Sequence, residues 1–385
     1  MSVASVPQSP ALTARREQED MRRLFVGLVG VLLCVGVQMV HSASLSTVPG
    51  QAEKIYTGRH LIFLLVAMGC GYIVSRIPAT WIRQQSGRLY WLLIVLLVAV
   101  LIPGIGTRVN GAQRWLRLGS LSLQPSELGR IILPIVAARL MVDLRATGFR
   151  WRSLPKTLLP LAIVLPLTAA EPDLGATVFL AIGFMIALFL GGWPLKYFVS
   201  GLLLAVPAGI SLFALKSYQL KRITGFLDTW RDLSQAPWQI RQSLMSLGSG
   251  GLHGQGIGAG WQKLSFLPEA NTDFVFAVIG EELGLAGTLG IVIIWVGVLL
   301  TGRACLERLR RDSFEWILGT TLVIQLVLQA LLNVAVVTAM VPTKGVPHPF
   351  ISYGGTNLLV SVMAVGLVVG LSRSLPPAEV SPQHS

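Results

Sequence analysis

Asp273 is placed where a side chain can do chemistry. It ends the polar, glycine-rich stretch GSGGLHGQGIGAGWQKLSFLPEANTD, which starts at Gly248, and the apolar run FVFAVI begins directly after it. A carboxylate at the mouth of an apolar segment can take a proton from an attacking hydroxyl, and an ionisable group beside hydrocarbon is costly unless it has a use. It can equally cap the free N–H groups of a helix N-terminus. Spacing alone leaves both readings open.

Glu281 and Glu282 follow eight and nine residues later, about 12 to 13 Å further along a helix. At about 100° per residue, Glu281 stands about 80° round from Asp273 and Glu282 on the opposite face. Arg130, in the first turn of an earlier apolar segment, is the expected counter-ion of Glu281, an ion pair that would lock two helices together. Arg108, Arg114 and Arg117 surround Trp115 in TRVNGAQRWLRLGSLSLQPSEL, which also holds Glu127. Guanidinium groups bind phosphate oxygens bidentately, so this cluster suits either an anionic substrate headgroup or acidic lipid. VPTKGVPHPFISYGGTN contains three prolines and three glycines. It cannot be helical throughout, and non-helical backbone at membrane depth must line a cavity or be buried in protein. His348, with no second His or Cys at ligand spacing, reads as an ordinary loop histidine.

The elements that carry these residues are membrane spans. The 385 residues are 53% hydrophobic and 13% charged, with a mean hydropathy of +0.66, far from the roughly one-quarter charged content of a soluble domain. Runs long enough to cross roughly 30 Å of hydrocarbon lie near 24–40, 60–77, 89–103, 127–142, 157–170, 174–192, 195–214, 274–300, 316–340 and 357–372. Residues 157–192 also allow a single re-entrant element broken at Glu171-Pro172-Asp173. The expected fold is an all-α integral membrane protein of about ten transmembrane helices. Residues 1–23 form a polar, disordered tail, 24–372 the membrane domain and 373–385 a second tail, with one large extracytoplasmic loop over 215–272 between helices 7 and 8. The first apolar run reads as an uncleaved span rather than a signal peptide.

With the N-terminus inside, seventeen of the 31 Lys and Arg residues fall on inner segments and six on the short outer loops, so both termini are expected in the cytoplasm. The same bias accounts for the net charge of +13 and leaves no basic face of the kind nucleic acid requires. Cys34, Cys70 and Cys305 form no CxxC pair and suggest neither a disulfide framework nor a metal site. The glycines at 248, 250, 251, 254, 256, 258 and 260 match neither phosphate-loop pattern,; they imply tight turns and close approach of chain to chain or to ligand. Leu220, Ile223, Phe226, Leu227, Trp230 and Leu233 recur at helical spacing, either as a surface amphipathic helix or as a face packed on the bundle.

NGAQRWLRLG with QPSEL, EPDLGAT, GSGGLHGQGIG, LPEANTDFVFAVIGEELG and VPTKGVPHPFISYGG occur in that order. Together they resemble the SEDS family of shape, elongation, division and sporulation proteins, with wording closer to its FtsW branch than to RodA, over residues 24 to 372. The resemblance implies a lipid II polymerase, an inverting peptidoglycan glycosyltransferase of the bacterial cytoplasmic membrane whose active site faces outward. It implies Asp273 as the catalytic base and Arg114, Lys263, Glu269, Glu127 and Ser352 as substrate-binding residues. A class B penicillin-binding protein and other divisome or elongasome membrane proteins are the implied partners. No cofactor is fixed by these motifs, though a divalent cation such as Mg or Mn could stabilise the departing diphosphate. Asn271, Arg130, Thr356 and His348 depart from the family wording. Two other function classes remain: a lipid II flippase, and a non-catalytic scaffold that activates the penicillin-binding protein.

Overall fold

The computed structural model describes residues 10–44, 52–109, 112–119, 121–149, 151–201, 217–261, 269–342 and 345–374. The chain builds α1 (Pro10–Ala43), α2 (Ala52–Val74), α3 (Ala79–Leu101), β1 (Gly106–Val109), β2 (Ala112–Leu118), β3 (Leu121–Leu123), α4 (Pro125–Thr147), α5 (Leu154–Ala170) and α6 (Leu174–Leu190). There follow α7 (Ser217–Arg231), α8 (Trp238–Ser249), α9 (Val275–Leu306), α10 (Phe314–Val337) and α11 (Gly355–Leu371). Nine of the ten expected spans coincide with helices. The seventh, 195–214, starts as a helix at 195–201 and continues outside the described residues. Among the described residues five helices, within α1, α2, α3, α9 and α10, are long and apolar enough to cross a membrane, while α5, α6 and α11 are shorter apolar helices.

Among the described residues the regular elements are helical apart from one feature. The arginine-rich segment after α3 is a three-stranded antiparallel sheet in the order β1-β2-β3, with Thr107 opposite Trp115 and Arg117 opposite Ser122. Residues 157–192 form two helices joined by a turn at 171–173, as Pro172 cannot donate to a continuing helix and Asp173 caps α6 through the Ala176 N–H. The polar N-terminus, expected to be disordered through residue 23, is helical from Pro10. It is tied down because the Gln18 amide donates to the Cys305 and Ser372 carbonyls at 3.0 and 3.1 Å.

Packing relies on small residues, since helices in lipid gain little from apolar burial alone. α11 lies along α2, where Gly366 fits against the Gly71 carbonyl and Gly370 against that of Ser75; a Cβ at Gly366 would meet the Gly71 oxygen at 2.2 Å. The core between helices holds Trp295, Phe25, Phe184 and Phe350.

α9 is broken at Gly284 (φ 66°, ψ −163°), a conformation that side-chain-bearing residues rarely adopt. The glycine-rich loop replaces the helix bonds lost there. Gly251 and Leu252 carbonyls accept from the Leu285 and Ala286 N–H groups, and the Gln255 and Gly256 N–H groups donate to the Glu281 and Glu282 carbonyls. A Cβ at Gly254 would stand 2.1 Å from the Glu282 oxygen. The glycines therefore serve close approach of chain to chain. On α7 and the turn after it, Leu227, Trp230 and Leu233 are exposed, so this part of the stripe does not pack on the bundle.

Candidate active site

Phe274, not Asp273, occupies the capping position of α9. Asp273 stands two residues before the first residue of the helix, partly exposed. Its backbone is fixed from several sides. The Asn333 amide donates to the Asp273 carbonyl at 2.7 Å and to the Val346 carbonyl at 2.8 Å. Ser352 Oγ donates to the Thr272 carbonyl at 2.5 Å, and the Tyr353 N–H donates to the Asn271 carbonyl at 2.8 Å. Loop residue Gly345 passes so near that a Cβ there would lie 3.2 Å from Asp273 Oδ2. Glu269, exposed and at φ 56°, closes this turn by accepting from the Thr272 hydroxyl at 2.9 Å.

Ser352 lies beneath the Asp273 turn. It is buried, with its hydroxyl engaged by the Thr272 carbonyl and the His348 N–H, so in this structure it holds the Asp273 turn. Lys263 lies outside the described residues.

A second lobe forms where the sheet meets the start of α6. Arg114 Nη1 pairs with Asp173 Oδ2 at 3.0 Å, and Gln124 Nε2 donates to the same oxygen at 3.1 Å. Glu171 beside them is fully buried with neither carboxyl oxygen hydrogen-bonded. Burial first, then the Asp173 charge, push its pKa up to about 8 against the opposing pull of Arg114.

The first turn of α11 joins the two lobes. Thr356 Oγ1 accepts from the Gln124 N–H and donates to the Ser122 carbonyl. Arg130 donates to Glu127, to Gln329 and, at 2.9 Å, to Asn357. Gln329 donates in turn to the Pro347 carbonyl at 2.8 Å. The expected Arg130–Glu281 pair is thus not made. Glu127 lies one turn before Arg130 on the same helix face and takes the charge, while Glu281 turns to the glycine loop and accepts from the Trp261 N–H at 2.7 Å. Glu282, on the other side of α9, accepts from the Ser42 hydroxyl at 2.6 Å.

Together these residues present a carboxylate on a rigidly held turn, and a guanidinium group anchored by Asp173 at the other lobe. Such an array suits proton abstraction and stabilisation of an anionic leaving group. Among the described residues no three His, Cys, Asp or Glu side chains converge on a metal-sized site.

The family model for cell cycle proteins of the FtsW, RodA and SpoVE group matches residues 22–376. The chain belongs to this family. A relative from Hahella chejuensis, described as a probable peptidoglycan glycosyltransferase FtsW, is 38% identical over 97% of this chain and 96% of its own length. One from Tolumonas auensis with the same description is 39% identical over 90% and 91%. Among solved structures, a chain from a study of polymerization and crosslinking by a peptidoglycan synthase complex superposes with a TM-score of 0.74 at 24% identity, covering 91% of this chain and 96% of that one. The rod shape determining protein RodA of Thermus thermophilus gives 0.66 at 24% identity, covering 91% and 95%. The chain is therefore a multi-pass membrane protein of the SEDS fold.

Several site residues of this family member escaped the sequence reading. Gln325, Gln329 and Asn333 sit at i, i+4 and i+8 on one face of α10, an amide stripe in an otherwise apolar helix, and that spacing was a usable signal. Gln124 and Asn357 gave no comparable sign, and Thr356 stands out in the sequence only as a departure from the family wording. His348 is more than a loop residue: its ring is fully buried, stacks on Phe276 at 6.2 Å and lies 5.7 Å from Trp295. Burial lowers its pKa to about 4, so it packs as a neutral ring.

Proposed function

We propose that this chain is a lipid II polymerase, a peptidoglycan glycosyltransferase of the bacterial cytoplasmic membrane, with Asp273 as general base on the outward side. The reading rests above all on the Asp273 turn, a partly exposed carboxylate whose backbone is fixed by Asn333, Ser352 and Tyr353. Family membership and the peptidoglycan glycosyltransferase description of its relatives support it.

In the proposed reaction the 4-hydroxyl of a lipid II N-acetylglucosamine attacks C1 of the terminal N-acetylmuramic acid of a growing strand. The C1–O bond to undecaprenyl diphosphate breaks with inversion, and the hydroxyl proton passes to Asp273. A positioned base contributes typically 10² to 10⁴-fold. Arg114, held by Asp173, and Lys263 would face the diphosphate as its charge grows. A divalent cation bound with that diphosphate would add its charge to theirs. Glu127 and Glu269 would act at the rim of the site, Glu127 through Arg130. A class B penicillin-binding protein, the proposed partner, would crosslink the product.

The test is strand synthesis from lipid II by purified chain in detergent, where no membrane sides exist and transport cannot be scored. Polymer from wild type alone, and its loss in Asp273→Asn by at least about 100-fold, is the expected result. Strands made at the wild-type rate by Asp273→Asn would remove the assignment; no polymer from wild type alone would favour a flippase or a scaffold.

A further inference from the structure

At the end of the bundle remote from Asp273, three guanidinium groups from three helices meet. α11 starts beside the Asp273 turn and ends at Leu371, about 25 Å away at 1.5 Å per residue. There the Gln18 side chain of α1 binds the Ser372 carbonyl, which sets Arg22, one turn further along α1, next to Arg373. Gly370 rests on the Ser75 backbone, which brings Arg76 to the same place. Arg76 lies over the Tyr72 ring at 4.9 Å and donates to the Tyr72 hydroxyl at 2.8 Å. Burial, then the charges of Arg22 and Arg76, pull the Arg373 pKa below the usual guanidinium range, with Tyr72 opposing.

Several other basic groups at this end are paired with carboxylates. Arg83 and Arg139 share Asp143 at 2.7 and 3.5 Å, and Arg310 binds Asp312 at 3.1 Å. The converging three have, among the described residues, one acidic neighbour, Glu19, at 3.9 Å from Arg22. The bias that places arginines on one side of a membrane explains their number but not their convergence on a single acidic neighbour. A cluster with two charges in excess is complementary to a phosphate, which guanidinium groups grip bidentately.

Above Arg76 one face of α2 continues as Tyr72, Met68, Leu65 and Leu61, all exposed and at helical spacing. The geometry points to a binding site for one anionic phospholipid, its phosphate among Arg22, Arg76 and Arg373 and an acyl chain along this face of α2. A free phosphate would use the guanidinium groups and leave the apolar track empty. The track therefore argues for the lipid.

The experiment uses the full chain in phosphatidylcholine nanodiscs doped with phosphatidylglycerol, reading retained phosphatidylglycerol by native mass spectrometry. Arg373→Gln is expected to lower retention about fivefold, since one basic residue near an anionic surface is worth about that factor. Arg22→Gln with Arg76→Gln and Arg373→Gln should bring it to the phosphatidylcholine level. Because the three charges repel one another, their removal leaves the fold intact, and strand synthesis in detergent checks this. The comparison variant Arg83→Gln with Arg139→Gln and Arg310→Gln removes the same charge from the same end and should retain phosphatidylglycerol as wild type does. Equal loss in both triple variants, no loss in either, or displacement of the lipid by millimolar inorganic phosphate would each overturn the site.

Discussion

Asp273 and Glu171 are both acidic residues in short turns at the mouths of helices, and the chain treats them in opposite ways. Asp273 keeps partial exposure while its backbone is fastened by Asn333, Ser352 and Tyr353. Glu171 is sealed from solvent with no hydrogen bond to either oxygen, although Arg114 and Asp173 stand beside it. Asp273, the proposed base, is held by its backbone and keeps a partly exposed side chain. A group that is fully buried without a partner is instead driven neutral.

The comparison breaks most decisively at Asp273. Asp273→Asn should cost strand synthesis at least about 100-fold, whereas Glu171→Gln, which copies the neutral acid, should stay within about threefold at pH 7. Equal losses in the same polymerisation assay would erase the distinction. Next in size is Gly284→Ala. A side chain at φ 66° is strained and would meet the Gly254 nitrogen, a cost of about 1 to 3 kcal/mol, read as a lower thermal midpoint together with slower polymerisation.

Asn333→Leu removes the bridge between Asp273 and Val346 and leaves two carbonyls without this donor, about 1 to 3 kcal/mol. Unlike a packing defect, it should lower kcat while the thermal midpoint recovers in Asn333→Gln more than activity does. The smallest effect separates Glu171 by pH. Its folded pKa of about 8 stands above the ordinary 4.5, so the folded chain holds a proton that the unfolded chain has released, and stability falls as pH rises between those values. From pH 6 to 9 the thermal midpoint of wild type should drop on the order of 5 °C more than that of Glu171→Gln. Parallel curves would show that Glu171 is not buried as a neutral acid.

The spans were legible because apolar length alone reports them. Asp273 was legible only as a carboxylate at the mouth of a span, which helix capping explains as well; the family motifs, not the spacing, single it out. The arginine-rich segment hid its sheet. Its strands are only four, seven and three residues long, too short for alternation to stand out. The Arg130–Glu281 pairing failed for a different reason: angle and depth on two helices cannot say which nearer partner, Glu127 or the Trp261 N–H, will capture each charge. The hydrogen bonds that fasten the Asp273 turn run between residues as far apart as Thr272 and Ser352. Only the folded chain reveals them.

The break at Gly284 also bears on where this chain can be cut or tagged. Surface loops ordinarily tolerate nicks and insertions, but residues 251–256 supply four backbone bonds in place of the two that an unbroken helix would have made between these groups. A peptide inserted there would unravel the outer portion of α9, and with it the footing of the carboxylate two residues before that helix begins.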